Sequence, residues 1–90
     1  MTVSKELLII NKRGLHARAS AKFVQMVEKF DAEVWVTRGN ETVGGTSIMG
    51  LMMLAASPGC CIDVSASGEQ ADAVLDALQT LIADKFGEEC

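Results

Sequence analysis

The spacing of apolar residues along the chain predicts three helices. After Leu15, apolar residues recur every three or four positions, which is typical of one face of an amphipathic helix of about 13 residues that begins at residue 16 or 17. The same periodicity from Gln70 to residue 85 or 86 predicts a closing helix. Between these two, the short and very apolar segment 47–55 is also predicted to be helical.

Four further segments have the β-branched or alternating character of strands: residues 3–10, 32–37, 41–43 and 61–67. The last of these alternates cleanly between apolar and polar residues, which predicts one buried and one solvated sheet face. Gly39 and Asn40 separate the second and third strands and predict a tight hairpin. The order β-α-β-β-α-β-α therefore predicts an α+β fold of two layers, in a single domain that spans residues 1–90.

Length and composition exclude several classes of protein. With 90 residues, 49% of them hydrophobic and 22% charged, the chain has the composition of one small globular domain rather than of a disordered segment. No apolar run approaches the ~20 residues of a membrane span, and the first ten residues contain Glu6 and no signal cleavage site. The net charge of −4 argues against general nucleic-acid binding. We therefore expect a cytoplasmic protein that does not bind nucleic acid and does not insert into membranes.

The charges are distributed unevenly along the chain. Residues 1–45 carry seven basic and five acidic side chains, whereas residues 46–90 carry one basic and seven acidic side chains. No carboxylate occurs from Leu7 to Val27, and four cations fall within that window together with His16, the only histidine. A local positive field around one titratable side chain, on a protein that is acidic overall, favours an anion-handling site at His16.

The residues around His16 suit phosphoryl chemistry. Gly14 permits a sharp backbone turn just before the predicted helix, and His16 then lies beside first-turn N–H groups that have no intrahelical acceptor. Those donors and the guanidinium of Arg18 favour an anion and disfavour a cationic ring, and the neutral imidazole is the nucleophilic form. The pattern predicts a histidine that accepts and passes on a phosphoryl group, although a capping or surface histidine without chemistry has the same spacing.

The segment Asn-Lys-Arg-Gly-Leu-His-Ala-Arg-Ala-Ser-Ala, residues 11–21, resembles the active-site segment of HPr, the histidine phosphocarrier family of the bacterial phosphotransferase system. The element order, the hairpin, the apolar segment 44–54 and the closing helix are similar too, so that the resemblance covers essentially the whole chain. One departure is Ala19, where the family usually has proline. Residues 11–36 look more like NPr, the nitrogen-related branch of the family.

The resemblance implies an open-faced β-sandwich, in which a four-stranded antiparallel sheet is covered on one face by three helices. It also implies that enzyme I, of the sugar or nitrogen type and charged from phosphoenolpyruvate, phosphorylates Nδ1 of His16. His16 would then pass the group to a histidine of an EIIA-type protein. Arg18 matches the family's active-site arginine, and the backbone N–H of Ala17 lies at the helix start. Such a carrier is not an enzyme and needs no cofactor, and nothing in the sequence requires more than a monomer.

Ser47 stands at the start of the second predicted helix, where a serine hydroxyl caps the backbone N–H groups. It also matches the family's regulatory serine, which is a target of HPr kinase/phosphorylase. A phosphate at a helix N-terminus is locally favourable and adds roughly −1.5 to −2 charge units beside the docking face. The two roles are compatible: the position predicts the cap, and the resemblance implies the regulatory role.

The apolar residues of segment 47–55 are too many for one buried face of a two-turn helix. Because some must be exposed and methionine adapts to several partners, we predict a partner-binding patch around His16. Leu51 and Leu54 are predicted to be core residues instead. The predicted docking patch consists of Ala17, Ala21, Val24, Ile48, Met49 and Met52.

Two other classes of function are compatible with the sequence. The first is a regulatory module that docks targets without phosphotransfer, although family members of that kind lack the histidine that this chain has at position 16. The second is a small metal- or thiol-handling domain built on Cys60 and Cys61. The adjacent pair, the odd count with Cys90 and the absence of zinc-ligand spacing favour reduced structural thiols and no metal site.

Overall fold

The computed structural model describes residues 2–88 and consists of a four-stranded antiparallel sheet and three α-helices. The sheet has the strand order β1-β4-β2-β3, and a 3₁₀ turn at Lys85–Gly87 follows the last helix. The predicted fold class and element order are confirmed. The strands are β1 (Thr2–Leu8), β2 (Glu33–Arg38), β3 (Glu41–Gly44) and β4 (Cys61–Ser67), and the helices are α1 (Ala17–Val27), α2 (Ile48–Met53) and α3 (Ala71–Ala83).

Alternation along the strands gives the sheet one covered and one open face. In the central strand β4, Ile62, Val64 and Ala66 are fully buried, whereas Cys61 and Asp63 are exposed. Strand β4 pairs antiparallel with β1 on one side and β2 on the other. Because side chains alternate with a period of two, the buried residues share one face, and the helices cover that face only.

Each helix buries an apolar stripe against the covered face of the sheet. Helix α1 packs against both α2 and α3, and α3 packs on β1 and β4. No helix within residues 2–88 is long and apolar enough to cross a bilayer. The largest fully buried apolar side chains of this core are Phe23, Phe86, Ile9, Leu51, Ile62, Leu78, Val36, Val64 and Val74.

Several element boundaries differ from the prediction by two residues. Strand β1 ends at Leu8 rather than at residue 10, although the N–H of Ile9 still donates to the carbonyl of Cys60 at 2.9 Å. Helix α2 ends at Met53 because Ala55 has a φ of 54°, a left-handed conformation that cannot continue a helix. The Gly39–Asn40 hairpin is as predicted, with β2 and β3 paired directly on both sides of it.

The largest departure is at the end of α3, which was predicted to reach residue 85 or 86. The helix ends at Ala83, and Lys85, Phe86 and Gly87 then all adopt positive φ angles of 56°, 55° and 76°. This turn reverses the chain and leaves the side chain of Phe86 buried in the core. Burial of a large aromatic ring offsets the cost of the left-handed backbone, which periodicity alone does not reveal.

Candidate functional site

A tight loop between β1 and α1 positions His16. Gly14 has a φ of 63°, and a Cβ atom there would lie only 2.2 Å from the carbonyl oxygen of Ala56. The N–H of the next residue, Leu15, donates to that same carbonyl at 2.9 Å. The loop is therefore held against residues 56–57, and only glycine has both the backbone conformation and the small size that this approach requires.

His16 is the N-cap residue of α1, with extended backbone angles of φ −74° and ψ −179°. Its carbonyl accepts from the N–H of Ser20 at 2.8 Å, which closes the first helical turn, while its side chain makes no capping bond. The N–H groups of the first turn, including that of Ala17, lie at the helix end and have no intrahelical acceptor. His16 thus stands where a helix terminus offers donors to an anion.

The ring of His16 lies in a shallow basin of about 410 Å³ that is strongly cationic. Four cationic side chains and one carboxylate line this basin, so that the local field is positive on a protein that is acidic overall. The prediction from the carboxylate-free window therefore describes this face of the molecule well, with one exception. The residues that line the basin are Lys12, Arg13, His16, Arg18, Lys22, Gly87 and Glu88.

The exception is Glu88, whose carboxylate contacts the histidine directly. Its Oε2 atom lies 2.7 Å from Nε2 of His16, and the side chains are only 17% and 23% exposed. The same oxygen accepts from Nδ2 of Asn11 at 2.8 Å. Hydrogen bonding from His16 holds the pKa of the Glu88 carboxyl below its usual value. Burial alone would raise this pKa, but the hydrogen bond from Asn11 and the charge of Arg13 lower it further.

Sequence reasoning missed Glu88 because it lies 72 residues from His16 along the chain. The carboxylate-free window from Leu7 to Val27, from which a neutral ring was expected, does not include this side chain. The one available signal was the acidic pair Glu88–Glu89 directly after the closing helix. Nothing in that composition indicates that the chain turns back toward the histidine.

The other predicted site residues lie at the ends of α1 and α2. Arg18 is exposed in the first turn of α1 and lines the basin, and Ala17 is the first residue of that helix. Ser47 is the N-cap of α2, and its Oγ accepts from the N–H of Gly50 at 2.9 Å, as expected for a capping serine. The functional roles of these residues remain predictions.

Four of the six residues of the predicted docking patch are exposed. Ile48, Met49 and Met52 are exposed, and so is Ala17, while Ala21 is half-buried. Val24 was predicted to be on this surface, and that prediction is wrong, since its side chain is 7% exposed in the packed interior of α1. Its position on the helix faces the core together with the neighbouring Phe23 and Val27.

Met53 is a further exposed side chain of α2, which sequence reasoning did not identify. It is 70% exposed, almost as much as Met49 at 72%, because the short helix α2 buries only Leu51 within its own length. Leu51 and Leu54 are core residues, as predicted. Helix α2 therefore presents a surface of long, flexible apolar side chains, which is a common property of surfaces that bind several partners.

Cys60 has an unusual environment for a structural thiol. Its sulfur lies 3.3 Å from Nη2 of Arg38 and 3.4 Å from Oγ of Ser57. These contacts, with those from Ser57 the largest, lower the pKa of the Cys60 thiol to about 7. Cys60 and Cys61 are both free thiols, and Cys90 lies outside the described residues. No group of three or more potential metal ligands occurs within residues 2–88.

The alkylation of Cys60 by iodoacetamide is expected to reach half its maximal rate near pH 7, because only the thiolate reacts. Above this pH the thiolate dominates, and below it the reaction slows tenfold per pH unit. Ser57→Ala removes the strongest stabilising contact and should move the midpoint to higher pH, while Ser4→Ala on β1 should not. Rates measured by mass spectrometry in a Cys61→Ser, Cys90→Ser background test this, and equal midpoints in both serine variants would contradict it.

Comparisons with known proteins identify the family to which the chain is similar. A family model described as PTS HPr component phosphorylation site matches residues 3–84. The chain is 49% identical over 86 residues to phosphocarrier protein HPr of Neisseria meningitidis serogroup B, covering 96% of this chain and 97% of that protein. It is 38% identical over 86 residues to phosphocarrier protein NPr of Shewanella violacea, covering 96% and 94%. The crystal structure of HPr-C-His from Thermoanaerobacter tengcongensis superposes with a TM-score of 0.92 at 43% identity, covering 98% of this chain and 99% of that one.

Proposed function

The chain belongs to the HPr family of phosphocarriers of the phosphotransferase system, and from that membership we propose that His16 is the residue that carries the phosphoryl group. The observation that supports this most strongly is the position of the ring. His16 is the only histidine of the chain, and it stands at a helix N-terminus inside the cationic basin. A phosphoryl group bound there would have donors and positive charge around it.

The proposed reaction is a reversible transfer between nitrogen and a partner. The lone pair of Nδ1 attacks phosphorus, a P–N bond forms, and the bond between phosphorus and the donor's group breaks with its electron pair returning to the donor. The reverse step delivers the group to the acceptor. Because Nε2 is already engaged with Glu88 at 2.7 Å, Nδ1 is the nitrogen left for this chemistry.

The proposed partners are enzyme I, charged from phosphoenolpyruvate, and a histidine of an EIIA-type protein. Both would approach the basin across α1 and α2, over the half-buried Ala21 and over exposed side chains, namely Ala17, Ile48, Met49 and Met52, with Met53 added from the structure. An apolar surface next to a cationic basin fits a partner that brings an apolar contact area and an anionic phosphoryl group. Since phosphoenolpyruvate is a metabolite of the cytoplasm, the proposed relay operates there.

Phosphorylation of Ser47 by an HPr kinase/phosphorylase is the proposed regulation. The side chain is exposed, and the hydroxyl belongs to the N-cap of the helix that carries the docking residues. A phosphate would keep favourable contact with the helix N-terminus but add negative charge to the surface that an already phosphorylated partner must approach. The expected consequence is weaker docking rather than a change in the chemistry at His16.

The branch of the system is decided by the partner rather than by the chemistry. Relatives named HPr and NPr both match this chain along nearly its whole length. The sequence favours the nitrogen-related branch through residues 11–36, and this remains a prediction. Rates of phosphorylation by a sugar-type and a nitrogen-type enzyme I, measured side by side, would assign it, since the cognate enzyme should act faster at limiting concentration.

Arg18→Ala is expected to slow phosphoryl transfer by roughly tenfold to a hundredfold in both directions, because it removes a charge-assisted donor beside the developing phosphohistidine. Lys29→Ala, which removes a cation from an exposed position just beyond the other end of α1, serves as the control and should leave the rate unchanged. Rapid-quench measurement of phosphoryl acceptance gives both rates. An Arg18→Ala rate equal to that of the control would show that the helix-terminus donors suffice without the guanidinium.

The proposal as a whole is tested by intact mass after incubation with phosphoenolpyruvate, magnesium and enzyme I. The expected result is a single phosphoryl adduct that is lost in acid, as phosphoramidates are. Transfer of this adduct to an added EIIA-type protein would establish the carrier role. No adduct with either type of enzyme I would contradict the proposal and favour a docking module that binds its targets without phosphotransfer.

A further inference from the structure

We propose that Glu88 is a positioning residue for the phosphoryl transfer: its carboxylate holds the proton of the ring on Nε2 of His16 and thereby keeps Nδ1 free as the nucleophile. This inference rests on the proposed function of His16. It goes beyond that function because it assigns a role to a residue after α3, outside the residues 3–84 that match the family model. Four features of the structure carry it.

The first feature is the contact itself. An ionised carboxylate can only accept hydrogen bonds, so the 2.7 Å contact between Oε2 of Glu88 and Nε2 of His16 requires the proton on Nε2. A neutral imidazole has one N–H group and one lone pair. When Nε2 carries the proton, the lone pair lies on Nδ1, and that nitrogen is the one able to attack phosphorus.

The second feature is the residue that holds the carboxylate. Nδ2 of Asn11 donates to Oε2 of Glu88 at 2.8 Å and to the carbonyl of Gly14 at 2.8 Å. Both partners are acceptors, which fixes the orientation of the amide. Asn11 is completely buried, so the carboxylate is held by a rigid part of the active-site loop rather than by a mobile surface group.

The third feature is the turn that brings Glu88 back to the site. The left-handed residues Lys85 to Gly87 reverse the chain after α3, and the buried ring of Phe86 anchors the turn in the core. Nζ of Lys22, on α1, donates to the carbonyl of Phe86 at 2.6 Å. Two non-glycine residues in a disfavoured conformation persist only where the surroundings hold them, and here the result is a carboxylate aimed at the histidine.

The fourth feature is the balance of charge in the reaction. When Nδ1 bonds to phosphorus, the ring keeps its Nε2–H and becomes a cation. The carboxylate of Glu88 then faces a positive ring across a short hydrogen bond, which is a charge-assisted pair. Three other cations of the basin, Lys12, Arg13 and Arg18, can contact the phosphoryl oxygens, so that Glu88 does not have to leave. Glu88 therefore orients the nucleophilic ring, whereas the cations of the basin stabilise the transferred phosphoryl group.

Nitrogen NMR of the unphosphorylated protein, labelled with ¹⁵N in the histidine ring, tests the proposal without any partner. In its neutral form, the ring of His16 in the native protein should be predominantly the Nε2–H tautomer. Glu88→Ala removes the acceptor and should raise the Nδ1–H fraction several-fold. Glu69→Ala makes the same charge change beside Gln70, whose backbone contacts Asp31 beyond the far end of α1, and should leave the tautomers unchanged.

Kinetics supply the second readout. Phosphoryl acceptance by Glu88→Ala should be slower than in the native protein by about ten- to a hundredfold, as when a carboxylate that orients a metal-bound histidine is removed. A tautomer ratio in Glu88→Ala equal to the native ratio would overturn the proposal even if His16 is phosphorylated normally. Failure of the proposed function gives a different result, namely no adduct on the native protein while the tautomer still depends on Glu88.

Discussion

Replacing His16 by alanine is expected to abolish phosphoryl acceptance and to leave the fold intact. The loss should be complete rather than partial, because no other histidine exists to take over the nucleophilic nitrogen. The intact mass of His16→Ala after incubation with phosphoenolpyruvate and enzyme I should equal that of the untreated protein. This outcome separates a carrier histidine from one that only stabilises the helix.

The fold should survive His16→Ala because little depends on this side chain. As N-cap it makes no side-chain bond to the helix, and its backbone angles are ordinary for alanine. Its one described ion pair, with Glu88, is partly exposed, and pairs of this kind contribute up to about 1 kcal/mol. Urea unfolding should therefore show a change of about 1 kcal/mol or less. A variant that fails to fold, or that still takes up a phosphoryl group, would contradict the assignment.

Gly14→Ala is expected to destabilise the protein by about 2–5 kcal/mol, which is a large part of the stability of a small domain. Two effects add at this position. The φ of 63° is costly for any residue with a Cβ atom, and the new methyl group would lie 2.2 Å from the carbonyl oxygen of Ala56 and 2.9 Å from Cα of Ser57. Both contacts are with backbone, so the loop that carries His16 must shift.

Gly39→Ala is the matched control for this variant. Gly39 has nearly the same φ, 61°, but a Cβ atom there would meet nothing within 4 Å. Gly39→Ala should lower the free energy of unfolding by only about 1–2 kcal/mol, which is the cost of a left-handed backbone at a residue with a Cβ atom. The difference between the two variants in urea unfolding measures the steric effect at Gly14, and phosphoryl acceptance should fall only in Gly14→Ala. Equal destabilisation in both variants would show that the loop adapts freely to the added methyl group.

Local sequence patterns predicted the features that depend on residues close together along the chain. The alternation in β4 predicted its bounds to the residue, and the apolar spacing after Leu15 predicted a start of α1 at residue 16 or 17, where the helix begins at Ala17. The cationic window around His16 likewise predicted the character of the basin, because residues within one loop and one helical turn remain neighbours in the fold.

The parts that were missed depend on contacts between distant segments. Glu88 reaches His16 only because three consecutive left-handed residues turn the chain. That turn depends on the burial of the Phe86 side chain in the core. Val24 was assigned to the surface because helical spacing alone does not give the width of the buried face. The environment of Cys60 was not predicted either, because Arg38, which contacts its sulfur, lies on β2 and is distant from Cys60 along the chain.

The most direct test of the account is a nitrogen and phosphorus NMR spectrum of the phosphorylated protein with ¹⁵N in the histidine ring. We predict that the phosphorus is coupled to Nδ1 of His16 and that Nε2 still carries its proton. Phosphorus coupled to Nε2, or a phosphoryl group on any residue other than His16, would contradict the account.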